Sequence, residues 1–268
     1  MDFLYDESNY RELIGDGEKI VVHGETRYLS AIPKPTHADT SGYSKPFAAT
    51  LALIPRTEWD ARIDEQERLF SSVSDFCDFP AYDQDGIPYC WINGPCQAFT
   101  TARRIQRLPL KIISSASCGG PITGYVSRGG WEGDGLEYLT KRGGATVEHW
   151  PNNAIKRSLN TPEVEAERQN YKILEALELR KNFDEWATAC LLNLPGAFAY
   201  NWMSHVMMSA RLKRIEKGSY GLEVRNSWSN AWGYKNSKGF GGFAVFREGR
   251  GTPDSGFVIR QVTASTPK

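Results

Sequence analysis

The chain changes character near Leu191, and that change limits its fold more than any other feature. Downstream, Ala197 to Met203, Val206 to Leu212, Tyr220 to Val224 and Gly242 to Phe246 are short aromatic or β-branched runs divided by turn residues. Upstream, Cys90 to Leu108 has helical spacing, with Phe99, Ala102, Ile105 and Gln106 over two turns, and Leu136 to Thr140 reads as a short amphipathic helix. Thr161-Pro162-Glu163 opens a further helix with a capping hydroxyl, a first-turn proline and early acids. Ile173, Leu174 and Leu177 continue it at apolar spacing, so the charged run from Glu163 to Lys181 is expected to be its wet face. Helices first and strands last predict an α+β fold in two lobes, not an alternating parallel sheet.

Residues 1–50 stand apart. They hold eight acidic and five basic groups, two strand-like runs (Lys19 to His23 and Thr26 to Ser30) and a loop rich in Pro, Thr, Ser and Gly from Pro33 to Pro46. This predicts an N-terminal arm and linker over 1–50 and one domain over 51–268. Its helical lobe lies mainly in 84–185 and its β lobe mainly in 186–263. At about 100 to 200 residues per domain, 268 residues fit one large domain or two small lobes.

Lys+Arg and Asp+Glu both number 32, so no single-sign field gathers nucleic acid or anionic lipid. No apolar run nears the roughly 20 residues of a membrane span. The segment Leu191 to Met203 is broken by Asn193, Pro195, Gly196 and Asn201, and the acidic start of the chain lacks the blocks of a signal peptide. The five cysteines, at 77, 90, 96, 118 and 190, form no Cys-x-x-Cys pair, and no His-x-x-x-His accompanies them, so no zinc site is expected. An odd count points to reduced thiols, one of them reactive, in a reducing intracellular setting.

Four histidines leave few candidates for a base. His23 and His37 fall in the arm, and His149 in a Glu-His-Trp-Pro turn. His205 begins a β-run, and Asn226-Ser227-Trp228 follows 21 residues later, where a hairpin could set them side by side. A nucleophilic cysteine needs a base to take its proton and a third group to orient that base. Cys90, early on a helix with His205 and Asn226 far downstream, has that order.

The motifs carry a resemblance. Gln84, followed by Asp85-Gly86-Ile87-Pro88-Tyr89-Cys90-Trp91, resembles the nucleophile segment of the papain-like cysteine peptidases. Arg128-Gly129-Gly130-Trp131 resembles that family's cleft-lining segment, and Glu148-His149-Trp150-Pro151 its Tyr-Pro turn. Ser204-His205 with Asn226-Ser227-Trp228-Ser229-Asn230-Ala231-Trp232-Gly233 is similar to its base strand and Asn-Ser-Trp signature, and Pro55 to Arg62 echoes its mature start. The matches run in order over residues 54–263.

The resemblance implies a peptidase with a helical lobe and a β-barrel-like lobe, acting on polypeptides without metal or organic cofactor. Cys90 would be the nucleophile, His205 its base and proton donor, and Asn226 the group that orients the imidazole. Gln84 would serve the oxyanion. Gly129, Gly130, Trp131, Ser204 and Trp228 would line or shield the cleft. Ile87 and Ser127 stand where the family's usual disulfide would be, which fits a reducing compartment. Pro88-Tyr89 narrows one wall, and the arm is too short to be the usual helical propeptide. Cys96, within Gly94-Pro95-Cys96-Gln97, is a rival nucleophile, but it would place Cys90 where the oxyanion glutamine belongs. Glu132, beside Trp131, is either a surface acid or the source of a basic or polar preference. A catalytically silent binding component, docked in a larger assembly through residues 1–50, is the alternative from another class. A transferase using the same thioester is a third reading.

Overall fold

Strands of the second half, buried almost throughout, build one mixed sheet with helices on both faces. The computed structural model describes residues 3–15 and 18–264. Among them the arm supplies β1 (Leu4–Tyr5), β2 (Lys19–Val22), β3 (Glu25–Tyr28), β4 (Lys45–Pro46) and α1 (Phe47–Thr50). Then come α2 (Arg56–Leu69), α3 (Cys90–Ile105), α4 (Ser115–Thr123), α5 (Glu132–Lys141), α6 (Pro162–Arg168), β5 (Ile173–Leu179) and α7 (Phe183–Leu191). The chain ends in β6 (Gly196–Tyr200), β7 (His205–Glu216), β8 (Ser219–Arg225), β9 (Phe243–Arg247) and β10 (Ser255–Val262).

The sheet runs β1-β9-β8-β7-β6-β10-β5-β4 and stays open, with strands of the arm at both edges. β2 and β3 form a separate antiparallel hairpin. On one face Ala197, Ala199, Val206, Met208, Phe257 and Ile259 pack with α3, α4 and α5. On the other, Phe198, Tyr200, Met207 and Val258 meet Trp59 of α2 and Trp186 of α7. The register of β7 slips twice, between Ser209 and Arg211 and again between Arg214 and Glu216. The pairing steps from Ser209↔Val224 to Arg211↔Glu223, so Ala210 is an extra residue and Leu212 turns to the opposite face.

The helix expected from Thr161 to Lys181 stops at Arg168. Its opening is as expected, with Thr161 Oγ1 accepting from the Val164 N–H, but Ile173 to Leu179 is strand β5. Tertiary pairing overrides the helical spacing there: β5 lies between β10 and β4, and Leu174, counted as part of the apolar stripe, is exposed. The charged residues Glu175 and Glu178 therefore belong to a strand. α2, α4, α7 and β10, and the short β1, β4 and α1, are the other elements that the residue pattern did not single out. No helix among the described residues is long and apolar enough to cross a membrane.

One contact sets the height of α3 above the sheet. A Cβ on Gly94 would lie 2.6 Å from Val206 Cγ1 and 3.5 Å from Ala197 Cβ, so the helix approaches the strands at its glycine. Gly135 does the same for α5, where a Cβ would stand 2.6 Å from Ile92 Cδ1. In an open helix Gly→Ala would gain about 1 kcal/mol. Here overpacking outweighs that gain, so Gly94→Ala should lower stability by about 1–3 kcal/mol in urea unfolding. Adding Val206→Ala should recover part of the loss, and purely additive effects would show that this contact does not set the spacing.

Candidate active site

Cys90 is the first residue of α3, where free backbone N–H groups and the positive end of the helix dipole favour a thiolate. His205 opens β7 and Asn226 follows the end of β8, so the β7–β8 pairing carries the two together, as expected from their spacing. His205 Nε2 donates to Asn226 Oδ1 at 2.7 Å, and the Ser227 N–H donates to the same oxygen at 2.7 Å, which fixes the amide's orientation. The other imidazole nitrogen, Nδ1, is buried without a hydrogen-bond partner. Trp228 covers the pair, its ring centroid 4.8 Å from that of His205. His205, Asn226 and Trp228 are all buried.

Burial alone would push the Cys90 thiol up. The His205 imidazolium more than offsets this, helped by the Ser30 hydroxyl and the Val206 N–H, and holds the thiol below its ordinary range. Cys96 behaves oppositely: burial and the neighbouring Cys118 raise it well above that range. All five cysteines are buried free thiols, and burial pushes Cys190 up to about 12. His149, in its turn, pairs with Glu167 at 2.9 Å.

Gln84 is held from both lobes. Its N–H donates to Ser227 O at 2.9 Å, and Ser227 Oγ donates to its Oε1 at 3.0 Å. Its Nε2 donates to Tyr28 O at 2.8 Å and Ile87 O at 3.2 Å. The Arg128–Trp131 wall rests on Trp91, whose Nε1 donates to Arg128 O at 3.2 Å and whose ring lies where a Cβ on Gly130 would stand, 2.7 Å away. Pro88 lines the cleft, while Tyr89 turns into the core and bonds Thr123 at 3.2 Å. Trp131 is buried against Phe257, with ring centroids 6.1 Å apart.

The arm runs through this cleft, a placement its sequence did not disclose. Ser30 Oγ lies 3.4 Å from Cys90 Sγ. The Gly130 N–H donates to Ser30 O at 3.3 Å and the Ile32 N–H to Gly130 O at 2.9 Å, a parallel bridge at Ala31. The Ala31 N–H donates to Ser204 O at 2.8 Å on the opposite wall. A Cβ on Gly129 would sit 2.2 Å from Ser30 O, so the wall must be bare backbone there. Arg27, buried, anchors the strand on Asp83 at 3.2 Å and Asp85 at 3.7 Å, the two neighbours of Gln84. Sequence reasoning missed Ser227, Trp91, Tyr28 and Ser30. Position within the Asn-Ser-Trp and Cys-Trp motifs was the available signal for the first two, and nothing marked the last two.

No family model matches the sequence, and no curated protein matches it. Solved structures do match. Xylellain, a cysteine protease from Xylella fastidiosa, is 20% identical with a TM-score of 0.59, over 87% of this chain and 95% of that one. Procathepsin B S9 from Trypanosoma congolense is 14% identical with a TM-score of 0.58, over 88% and 86%. A recombinant stem bromelain precursor is 14% identical with a TM-score of 0.56, over 88% and 83%. The fold is papain-like. Within this papain-like fold the arm contributes a hairpin and an extended strand, and in that it departs from a helical propeptide.

Glu132 is the one buried carboxyl of the Gly-Gly-Trp-Glu wall. Ser255 Oγ donates to its Oε1 at 2.6 Å, Oε2 lacks a partner, and burial pushes it up to about 7.

Two predictions follow from these groups. Once the arm is severed between Pro35 and Ala38, iodoacetamide should alkylate Cys90 first, at a rate rising with pH through a midpoint below that of a free thiol. His205→Ala should return that midpoint to the ordinary range or above, read by peptide mass mapping across pH, whereas fastest labelling at Cys96 would reject the assignment. For Glu132, the folded protein holds the proton to about 7 against an ordinary 4.5, so its contribution to stability is full below 4.5 and lost as pH rises through about 7. Wild type should lose up to about 3 kcal/mol over that window relative to Glu132→Gln, and parallel pH profiles in urea unfolding would refute this.

Proposed function

We propose that this chain is a cysteine peptidase that hydrolyses peptide bonds through a thioester on Cys90. The observation that carries the reading is the 2.7 Å bond from His205 Nε2 to Asn226 Oδ1, which leaves Nδ1 buried and free for the proton of a nucleophile whose thiol is held low. The Cys90 thiolate attacks the scissile carbonyl carbon, forming the S–C bond and moving the carbonyl electron pair onto oxygen. That oxyanion meets the Cys90 N–H and the Gln84 amide. When the tetrahedral intermediate collapses the C–N bond breaks, and the His205 imidazolium gives its proton to the departing amine. Water then adds to the thioester with His205 as base. The C–S bond breaks, the acid leaves, and the thiolate and imidazolium are restored.

Gln84 Nε2 donates to the arm's Tyr28 carbonyl, so the arm offers a main-chain oxygen to a donor suited to an oxyanion. This supports reading the arm as an occupant of the cleft that a substrate must replace. The same occupancy favours the second reading, a binding component in which the cleft never turns over. A fluorogenic peptide assay on arm-severed protein separates them. Hydrolysis should appear on severing, fall to background in Cys90→Ala and His205→Ala, and drop about 10²- to 10³-fold in Gln84→Ala. No turnover, together with no labelling of Cys90 by an epoxysuccinyl probe, would leave the binding component as the reading.

A further inference from the structure

Two residues beyond Ile32, the arm's Lys34 lines a cavity of about 380 Å³ together with Glu178, Arg180, Lys181, Asp254 and Ser255. Its ammonium pairs with Glu178 Oε1, and Thr40 Oγ1 donates to Oε2 at 2.5 Å. Both oxygens of this largely buried carboxylate, 19% exposed, are thus taken by arm and linker residues. The cavity's other cations pair with other carboxylates: Lys181 with Asp254 at 2.6 Å, and Arg180 with Glu185 through a 2.7 Å hydrogen bond. Ser255 also joins the cavity to Glu132, which is fully buried and has one oxygen without a partner. Among the described residues, the arm's lysine is therefore the only cation paired with Glu178.

We propose that this cavity is a subsite for a lysine or arginine side chain of the peptide substrate, and that Lys34 holds its Glu178 while the arm is seated. The inference rests on the peptidase reading and names its substrate class. The strand that pairs with Gly130 is the path an extended peptide would take, and Lys34 lies two residues along it from Ile32. Withdrawing Lys34 leaves a poorly solvated carboxylate without its cation, a costly state that a substrate cation relieves and a neutral side chain does not. Glu178 is the specificity-determining residue. Thr40 lies beyond the severing point and keeps Glu178 oriented after the arm has left.

The test uses protein severed between Pro35 and Ala38 and peptides that differ at one position, scanned along the strand: lysine, arginine or norleucine. At one position kcat/KM should favour lysine and arginine over norleucine by at least about tenfold, and by less as salt is raised. Glu178→Gln should abolish that preference through KM with folding intact by circular dichroism, and Glu178→Asp should restore part of it. Turnover with no basic preference, or with one unchanged in Glu178→Gln, overturns the subsite and leaves the peptidase reading standing. If no peptide turns over, anisotropy titration of severed Cys90→Ala protein decides. Tighter binding of the basic peptide that depends on Glu178 upholds the subsite and rejects hydrolysis, and equal binding rejects the subsite.

Discussion

The site depends on how closely α3 lies on the sheet. At Gly94 the helix has no side chain, and Val206 of β7 fills the space a Cβ would need. Val206 follows His205 directly, so the same contact that seats the helix brings its first residue, Cys90, to the imidazole. The buried ionisable pair is then supported from three sides: the helix terminus on the thiol, Asn226 on the far nitrogen and Trp228 over the His205–Asn226 bond. Removing water strengthens each of these interactions and makes any unpaired member costly. A cysteine and histidine placed this way are poised because the packing leaves them few other partners.

The two walls of the cleft are tied by backbone. Gln84 meets Ser227 through both its main chain and its side chain, and Asp83 bridges Trp228, so the loop before Cys90 is registered against the turn that holds Asn226. A shift of one would move the other. Gly130, propped on Trp91, and Ser204, held at φ 48°, then present carbonyls from opposite sides to whatever strand lies between. That arrangement recognises main chain before it recognises side chains, as strand addition does. Selectivity must come from flanking cavities.

Much of this was legible in the residues. Cys90, His205 and Asn226 could be picked out because nucleophilic chemistry would need those residue types in that order, and the β-runs after Leu191 because short aromatic and β-branched stretches divided by turn residues favour strands. β5 was not legible: Ile173 and Leu177 satisfy helical spacing, and only pairing with β10 and β4 decides against it. Glu132 could be read as a surface acid or a selective one, since burial is a property of the fold and not of the letter. The path of the arm was hidden for a deeper reason. Tyr28 and Ser30 act through a carbonyl and a small hydroxyl, which leave no sequence pattern.

The arm's two ends are built into the fold. β1 pairs with β9 at one edge of the sheet and β4 with β5 at the other, so both edges are capped by the segment that crosses the cleft. Its strand is therefore presented to Cys90 at the high local concentration of a short tether, on the order of millimolar, and need bind only weakly to stay seated. Wholesale departure would uncover two edges and the buried Tyr5 and Leu29, whereas local lifting of residues 28–34 would cost only the cleft contacts and the Lys34–Glu178 pair. The cheaper route keeps the arm attached. On the peptidase reading proposed above, a peptide would enter by replacing that stretch bond for bond: main chain at Gly130 and Ser204, and a cation at Glu178.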